Sequence, residues 1–265
     1  MSGADRIAEA FAAARADGRR AALMPYLMGG FPDLETSAAI GLAYAEAGAH
    51  LIELGVPFSD PLADGPVIHA AATAALRGGA RVEAVLQVGR VIAARVPVVA
   101  MCYANPIFTR GAERFVAALG EAGISGLIVP DLPLEESAEL RAVCDDRGIA
   151  LVPLVTPTTP EERLGRIGGG ARGFLYTVSV TGTTGERGQL DGDLAALVGR
   201  VRSHSPVPVA VGFGISAPEQ AAAAAEAGAD GVIVGTRLVR AAGEAEDPVG
   251  EVRELVQAFS AALLG

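Results

Sequence analysis

The chain has 265 residues, 51% of them hydrophobic, and a formal net charge of −10. That length admits one large α/β domain with a well-filled core, and the acidic balance argues against nucleic acid or an anionic membrane as partner. All 21 basic residues are arginine, so chemistry through a lysine imine, covalent attachment of pyridoxal phosphate included, is impossible within this chain.

Periodicity predicts a helix over residues 5–16, with Ile7, Ala10, Phe11 and Ala14 on one stripe, and a first strand at Ala22–Met28. The turn Gly29-Gly30-Phe31-Pro32-Asp33 places Asp33 to cap a helix that runs to Ala47. A second strand, residues 51–54, breaks into a long loop holding Pro57, Ser59, Asp60, Pro61, Asp64 and Gly65. Helical patterns follow over 68–76 and 82–94. The third strand, 97–103, ends at Asn105-Pro106, and a helix covers 112–121. The fourth, 126–129, runs into Pro130-Asp131-Leu132-Pro133 and a helix over 135–147. The fifth, 150–155, ends at Thr156-Pro157-Thr158-Thr159-Pro160, whose second proline suits a helix start. A sixth strand, 174–179, leads into the glycine- and threonine-rich stretch 181–192, then a helix to about Val201. The seventh, 207–211, gives Gly212-Phe213-Gly214-Ile215-Ser216 and a helix through Glu226. The eighth, Gly231–Val234, precedes a short helical turn from Gly235-Thr236 and a closing amphipathic helix over 248–264.

Eight strands alternating with helices over ~250 residues is the pattern of a (β/α)8 TIM barrel. We therefore expect one α/β barrel domain over residues 1–265, with the extra N-terminal helix covering its lower end; a doubly wound open sheet is the alternative. In a barrel the chemistry sits on the loops after the strands, where all the unusual sequence lies. His50 and His204 fall before strands, at the opposite end, so a multi-histidine metal site is not expected. Cys102 and Cys144 read as two buried reduced thiols. No apolar run reaches the ~18 residues of a membrane span and the N-terminus lacks the order of a signal peptide, which predicts a soluble, cytoplasmic protein.

One residue breaks its own pattern. Glu46-Ala-Gly-Ala-His-Leu-Ile-Glu53-Leu-Gly recurs as Glu121-Ala-Gly-Ile-Ser-Gly-Leu-Ile128-Val-Pro and as Glu226-Ala-Gly-Ala-Asp-Gly-Val-Ile233-Val-Gly. Each copy is a helix end, a C′ glycine and a strand, so aligned positions should face similar surroundings. Glu53 stands where its sisters carry Ile, and a carboxylate inside an aliphatic run either points at water or serves a site. Among aliphatics its pKa should be raised, fitting it to shuttle a proton beside a wetter carboxylate that stays charged. Spacing alone leaves Asp60 and Asp64 competing for that second place.

Gly212-Phe-Gly214-Ile-Ser216 and Gly235-Thr236 follow the last two strands, where barrels commonly hold phosphate on backbone N–H groups; the plain alternative is a pair of ordinary turns. The Thr181-Gly-Thr-Thr184-Gly185-Glu-Arg187-Gly188 stretch has the composition of a lid, or of a plain surface loop.

The stretch Glu53-Leu-Gly-Val-Pro-Phe-Ser-Asp-Pro-Leu-Ala-Asp64-Gly-Pro-Val-Ile, with Tyr103-Ala-Asn-Pro, Gly182-Thr-Thr-Gly185 and Gly212-Phe-Gly214-Ile, closely resembles the tryptophan synthase α subunit family, over essentially the whole chain. The resemblance implies a lyase of tryptophan biosynthesis that cleaves indole-3-glycerol phosphate, by a retro-aldol reaction, to indole and glyceraldehyde 3-phosphate. It matches Glu53 to the catalytic acid/base and Asp64 to the carboxylate that steadies positive charge near the indole nitrogen. Tyr26, Met101, Tyr176 and Gly212 match substrate-binding positions, Thr184 the lid threonine that meets Asp64, and Gly185, Gly214, Gly235 and Thr236 phosphate contacts. It further implies no cofactor in this chain and a pyridoxal-phosphate β subunit as partner in an α2β2 heterotetramer. The docking surface is expected on the strand-end face, around Pro57, Asp60, Asn105, Phe108, Asp131 and Pro133. One departure stands out: after strand one the family often has Pro-Phe-Thr-Ala-Gly-Asp-Pro, where this chain reads Pro25-Tyr-Leu-Met28-Gly-Gly-Phe-Pro32. Indole-glycerol-phosphate synthase, a related barrel, depends on lysine and is thereby disfavoured; a non-catalytic regulatory subunit is disfavoured by the retained carboxylates and glycine loops.

Overall fold

Short runs of Val, Ile, Leu and Ala, each closed by Gly, Pro or a polar turn, form parallel strands buried on both faces. They are β1 (Ala22–Met28), β2 (Ile52–Gly55), β3 (Val98–Met101), β4 (Gly126–Ile128), β5 (Ala150–Val152), β6 (Leu154–Val155), β7 (Leu175–Val178), β8 (Val209–Gly212) and β9 (Gly231–Val234). The computed structural model describes residues 1–178, 187–212 and 214–265, with side chains placed in all of these but 187–193.

The sheet order is β5-β4-β3-β2-β1-β9-β8-β7-β6. Its two ends, β5 and β6, are halves of the single expected fifth strand, divided at Pro153, which has no N–H to give a ladder. The Pro153 carbonyl still accepts the Tyr176 N–H at 3.0 Å. One half pairs with β4 and the other with β7, so the sheet closes into the expected eight-position barrel and the open-sheet alternative falls away.

Helices α2 (Leu34–Glu46), α3 (Pro66–Arg77), α4 (Val82–Ala93), α5 (Ala104–Arg110), α6 (Ala112–Glu121), α7 (Ala138–Asp146), α8 (Glu161–Gly169), α9 (Arg187–Arg202), α10 (Pro218–Glu226), α11 (Thr236–Glu244) and α12 (Pro248–Ala262) alternate with the strands. Asp33 caps α2 by accepting the Thr36 N–H at 2.8 Å. The repeat glycines Gly48, Gly123 and Gly228 take φ of 102°, 73° and 95°, the left-handed conformation that ends a helix cheaply only without a Cβ.

The first helix, α1 (Gly3–Ala16), is the expected cover. Ser2 and Asp5 cap it reciprocally, and the Gly3 N–H reaches the Gly148 carbonyl at 2.6 Å. Its Ile7, Phe11 and Ala14 then join Met24, Val99, Phe174 and Ile233 in the barrel's interior cluster, with the Phe11 and Phe174 rings 6.0 Å apart.

Several boundaries differ from expectation. Asn105-Pro106 does not end a strand but lies in the first turn of α5, where a proline's missing N–H has no intrahelical partner to lose. The helix expected over 135–147 divides into a 3₁₀ turn, Leu134–Glu136, and α7, because Ser137 turns its hydroxyl onto the Leu134 carbonyl. The chain is already helical from Arg187, inside the stretch expected to be loop. The turn after β9 extends to nine residues, α11, because Leu238, Val239, Ala241 and Ala242 bury one face. Both thiols are free and buried. Among the described residues no helix is long and apolar enough to cross a membrane.

Candidate active site

Leu51 already faces the barrel interior, so the two-residue period turns Glu53 and Gly55 inward as well. The sister positions Ile128 and Ile233 belong to that same interior cluster, so Glu53 replaces an aliphatic side chain in the core. It is 2% exposed, and its Oε1 has no hydrogen-bond partner among the described residues. Burial, with the charge of Asp64 added, pushes its carboxyl from 4.5 up to about 8. Near pH 7 Glu53 therefore holds its proton while remaining close to giving it up.

Asp64 lies half-buried on the loop between β2 and α3. Burial raises its carboxyl too, opposed by a hydrogen bond from Tyr103 and by His69. The expectation of two carboxylates in different surroundings thus holds by degree: Glu53 is sealed and Asp64 reaches solvent. Asp60, the competitor, is exposed and accepts a hydrogen bond from the adjacent Ser59 hydroxyl. Of the two, Asp64 is the one whose charge reaches Glu53.

Tyr103, which the sequence offers only as the first residue of Tyr103-Ala-Asn-Pro, braces this loop. Its hydroxyl accepts the Ala63 N–H at 3.0 Å, its ring stacks on Phe58 with centroids 5.3 Å apart, and it bonds the Asp64 carboxyl. One side chain at the end of β3 therefore holds the long loop on both sides of Pro61. The available signal was an aromatic residue directly after a buried strand.

Tyr26 and Tyr176 are each 5% exposed. Tyr26 pairs in register with Glu53, and its hydroxyl leans over Gly55, where any Cβ would collide with it. Tyr176 leans over Gly212 in the same way. Burial first, then nearby carboxylates, raise both phenols well above their ordinary value, so both are protonated donors. Met101, in register with Gly55, supplies an apolar wall.

On the other side, Gly214 is exposed with φ of 78°. The Ser216 and Ala217 N–H groups are already taken by Gln220 Oε1, at 2.7 and 3.0 Å. Gly235 caps α11, and Thr236 is its exposed first residue, where helix N–H groups have no internal partner. Thr184 and Gly185, with the expected lid up to residue 186, lie outside the described residues, as does Phe213.

On the strand-end face Asn105, Phe108 and Pro133 are exposed, whereas Pro57 is buried. Asp131 is half-buried and uses Oδ1 to accept the Ala104 N–H at 2.9 Å, fixing the start of α5.

A family model described as tryptophan synthase alpha chain matches residues 11–263. The chain belongs to the tryptophan synthase alpha chain family. It is 50% identical over 236 residues to the tryptophan synthase alpha chain of Prochlorococcus marinus, covering 88% of this chain and 86% of that one. With that of Thermosynechococcus vestitus the identity is 44% over 97% of both chains. Among solved structures, tryptophan synthase subunit alpha from Legionella pneumophila matches with a TM-score of 0.90 at 34% identity, covering 99% of this chain and 98% of that one. A tryptophan synthase chain from M. tuberculosis matches with a TM-score of 0.89 at 39% identity, covering 98% and 99%. Like the rest of its family, this chain is a carbon–carbon lyase of tryptophan biosynthesis that cleaves indole-3-glycerol phosphate to indole and glyceraldehyde 3-phosphate.

Proposed function

We propose that Glu53 is the proton carrier of this cleavage and Asp64 its electrostatic partner. The observation that carries the reading is Glu53 itself, a sealed, unpartnered carboxyl in an aliphatic core position, coupled to Asp64. The protonated carboxyl gives its proton to the indole ring carbon that bears the glycerol chain. The ring nitrogen then carries positive charge, which Asp64 steadies. As the carbon–carbon bond breaks, its electrons return to the ring, the adjacent glycerol hydroxyl becomes the aldehyde, and the hydroxyl proton goes to the ionised Glu53. The carboxyl ends as it began, and neither an imine nor a metal is required. Tyr26, Met101 and Tyr176 line the ring's side of the site. Measuring indole release by the isolated chain, with Asp64→Asn as the diagnostic variant, tests this: the variant should lose most turnover while keeping its affinity for glycerol 3-phosphate. A mainly weakened phosphate affinity would place Asp64 at the wrong end.

On the family match the phosphate is held by Gly214, Gly235 and Thr236 with Gly212 beside them, while Thr184 and Gly185, outside the described residues, match the family's lid and phosphate positions. Gly214→Val puts a branched side chain where the backbone must approach the anion, at a φ that L residues rarely adopt. Its Kd for glycerol 3-phosphate should rise about tenfold or more, the worth of one hydrogen bond to a charged group. An unchanged Kd in folded protein removes this loop from the site.

The family also implies a β subunit as partner, and we infer an α2β2 assembly in the cytoplasm in which the β subunit alone carries pyridoxal phosphate. Exposed Asn105, Phe108 and Pro133, with Asp60, offer the surface; buried Pro57 and the α5-capping Asp131 would shape it from beneath. Asp60 shares its loop with Asp64, so docking can reach the carboxylates through one braced loop. Asp60→Ala should therefore reduce activation by the β subunit more than it reduces the basal rate of indole formation. Equal proportional losses with and without the partner would assign Asp60 to the chemistry.

A further inference from the structure

We propose that Tyr26 is a positioning residue for Glu53: its hydroxyl donates to the orphaned Glu53 oxygen once that carboxyl ionises, and so sets the pH range in which Glu53 exchanges its proton. The inference rests on the acid/base reading of Glu53 above and deepens it.

Four observations converge on this pair. Tyr26 and Glu53 are direct register partners on neighbouring strands, both facing the interior, and strands in a sheet lie only about 4.8 Å apart. Glu53 Oε1 is buried without a partner, an arrangement that costs little while the carboxyl is protonated and much once it is charged. The Tyr26 hydroxyl is also underused, because the acceptor it meets is the Met28 sulfur at 4.0 Å, a weak one. Finally, the phenol leans into the space that Gly55, two residues along Glu53's own strand and without a Cβ, leaves free. A donor and an acceptor, each poorly satisfied and side by side in the core, are completed by one hydrogen bond.

Tyr176 also feels Glu53, but it stands on β7, four places from β2 in the sheet order. The groups that face Glu53 are thus Tyr26 on β1, Tyr176 on β7 and Asp64 on the loop after β2, with Tyr103 at the end of β3 behind Asp64. The phenol keeps its proton throughout, since burial holds it far above its ordinary range.

Tyr26→Phe, which removes one oxygen, tests the proposal on the isolated chain by two readouts. One is the pH profile of kcat; the other is infrared titration of the carboxyl band that Glu53→Gln deletes. Without the donor the ionised form loses its partner, so both midpoints should rise by about one pH unit. Glycerol 3-phosphate affinity should stay unchanged. 3-Fluorotyrosine at position 26, a stronger donor, should move the infrared midpoint down, and Met28→Leu should leave it in place. Unmoved midpoints in folded Tyr26→Phe, or an equal rise in Met28→Leu, overturn the proposal. If instead Glu53→Gln remains active, the acid/base reading fails on its own, and the infrared midpoint still judges the Tyr26 contact.

Discussion

Glu53→Gln is expected to retain the fold and lose nearly all indole formation. The amide fills the same space but cannot give up and recover a proton, and removing a general acid–base group typically costs about 10²–10⁴-fold. The drop should lie in kcat, with glycerol 3-phosphate affinity close to the parent's, because the phosphate loops after β8 and β9 are separate from β2. Steady-state indole release with matched binding measurements reads both. Activity within tenfold of the parent would show that another group carries the proton.

The same substitution should make the protein more stable in alkaline solution. In the unfolded chain Glu53 titrates near 4.5, and in the folded chain at about 8. Between these values the folded chain holds a proton that the unfolded chain has released, so this residue's contribution falls as pH rises through that window. Above pH 8 the full cost of the buried charge is present, up to roughly 5 kcal/mol as an upper bound. Glutamine never ionises, so the variant's Tm advantage over the parent should widen from pH 5 to pH 9 and then level off. A constant difference across that range would mean that Glu53 is not held protonated by burial. Lost turnover together with gained stability is the signature of a group kept in the core for chemistry.

Much of this molecule was legible from sequence because the decisive signals were local. Strand and helix runs, the Asp33 cap and the C′ glycines depend on residues within a few positions of each other, and eight such alternations leave little room for another architecture. Glu53 was legible for a further reason: the chain repeats its own helix–glycine–strand passage with Ile in that place, and Ile128 and Ile233 do lie in the interior that Glu53 enters.

What the tertiary structure decided are relations between segments far apart in the chain. Strand five closes the barrel in two halves, because Pro153 interrupts the ladder just where the pairing passes from β4 to β7. Tyr103 binds a loop forty residues away, and Gly55 and Gly212 are glycine because a phenol from the neighbouring strand lies across each. Asp64 rather than Asp60 couples to Glu53 through the direction in which the braced loop turns, and Asp131 caps α5 through a contact no spacing announces. Hydrophobic period and turn chemistry act along the chain and can be read from it. Which side chain leans on which strand depends on register and shear between strands, and these exist only once the barrel has closed.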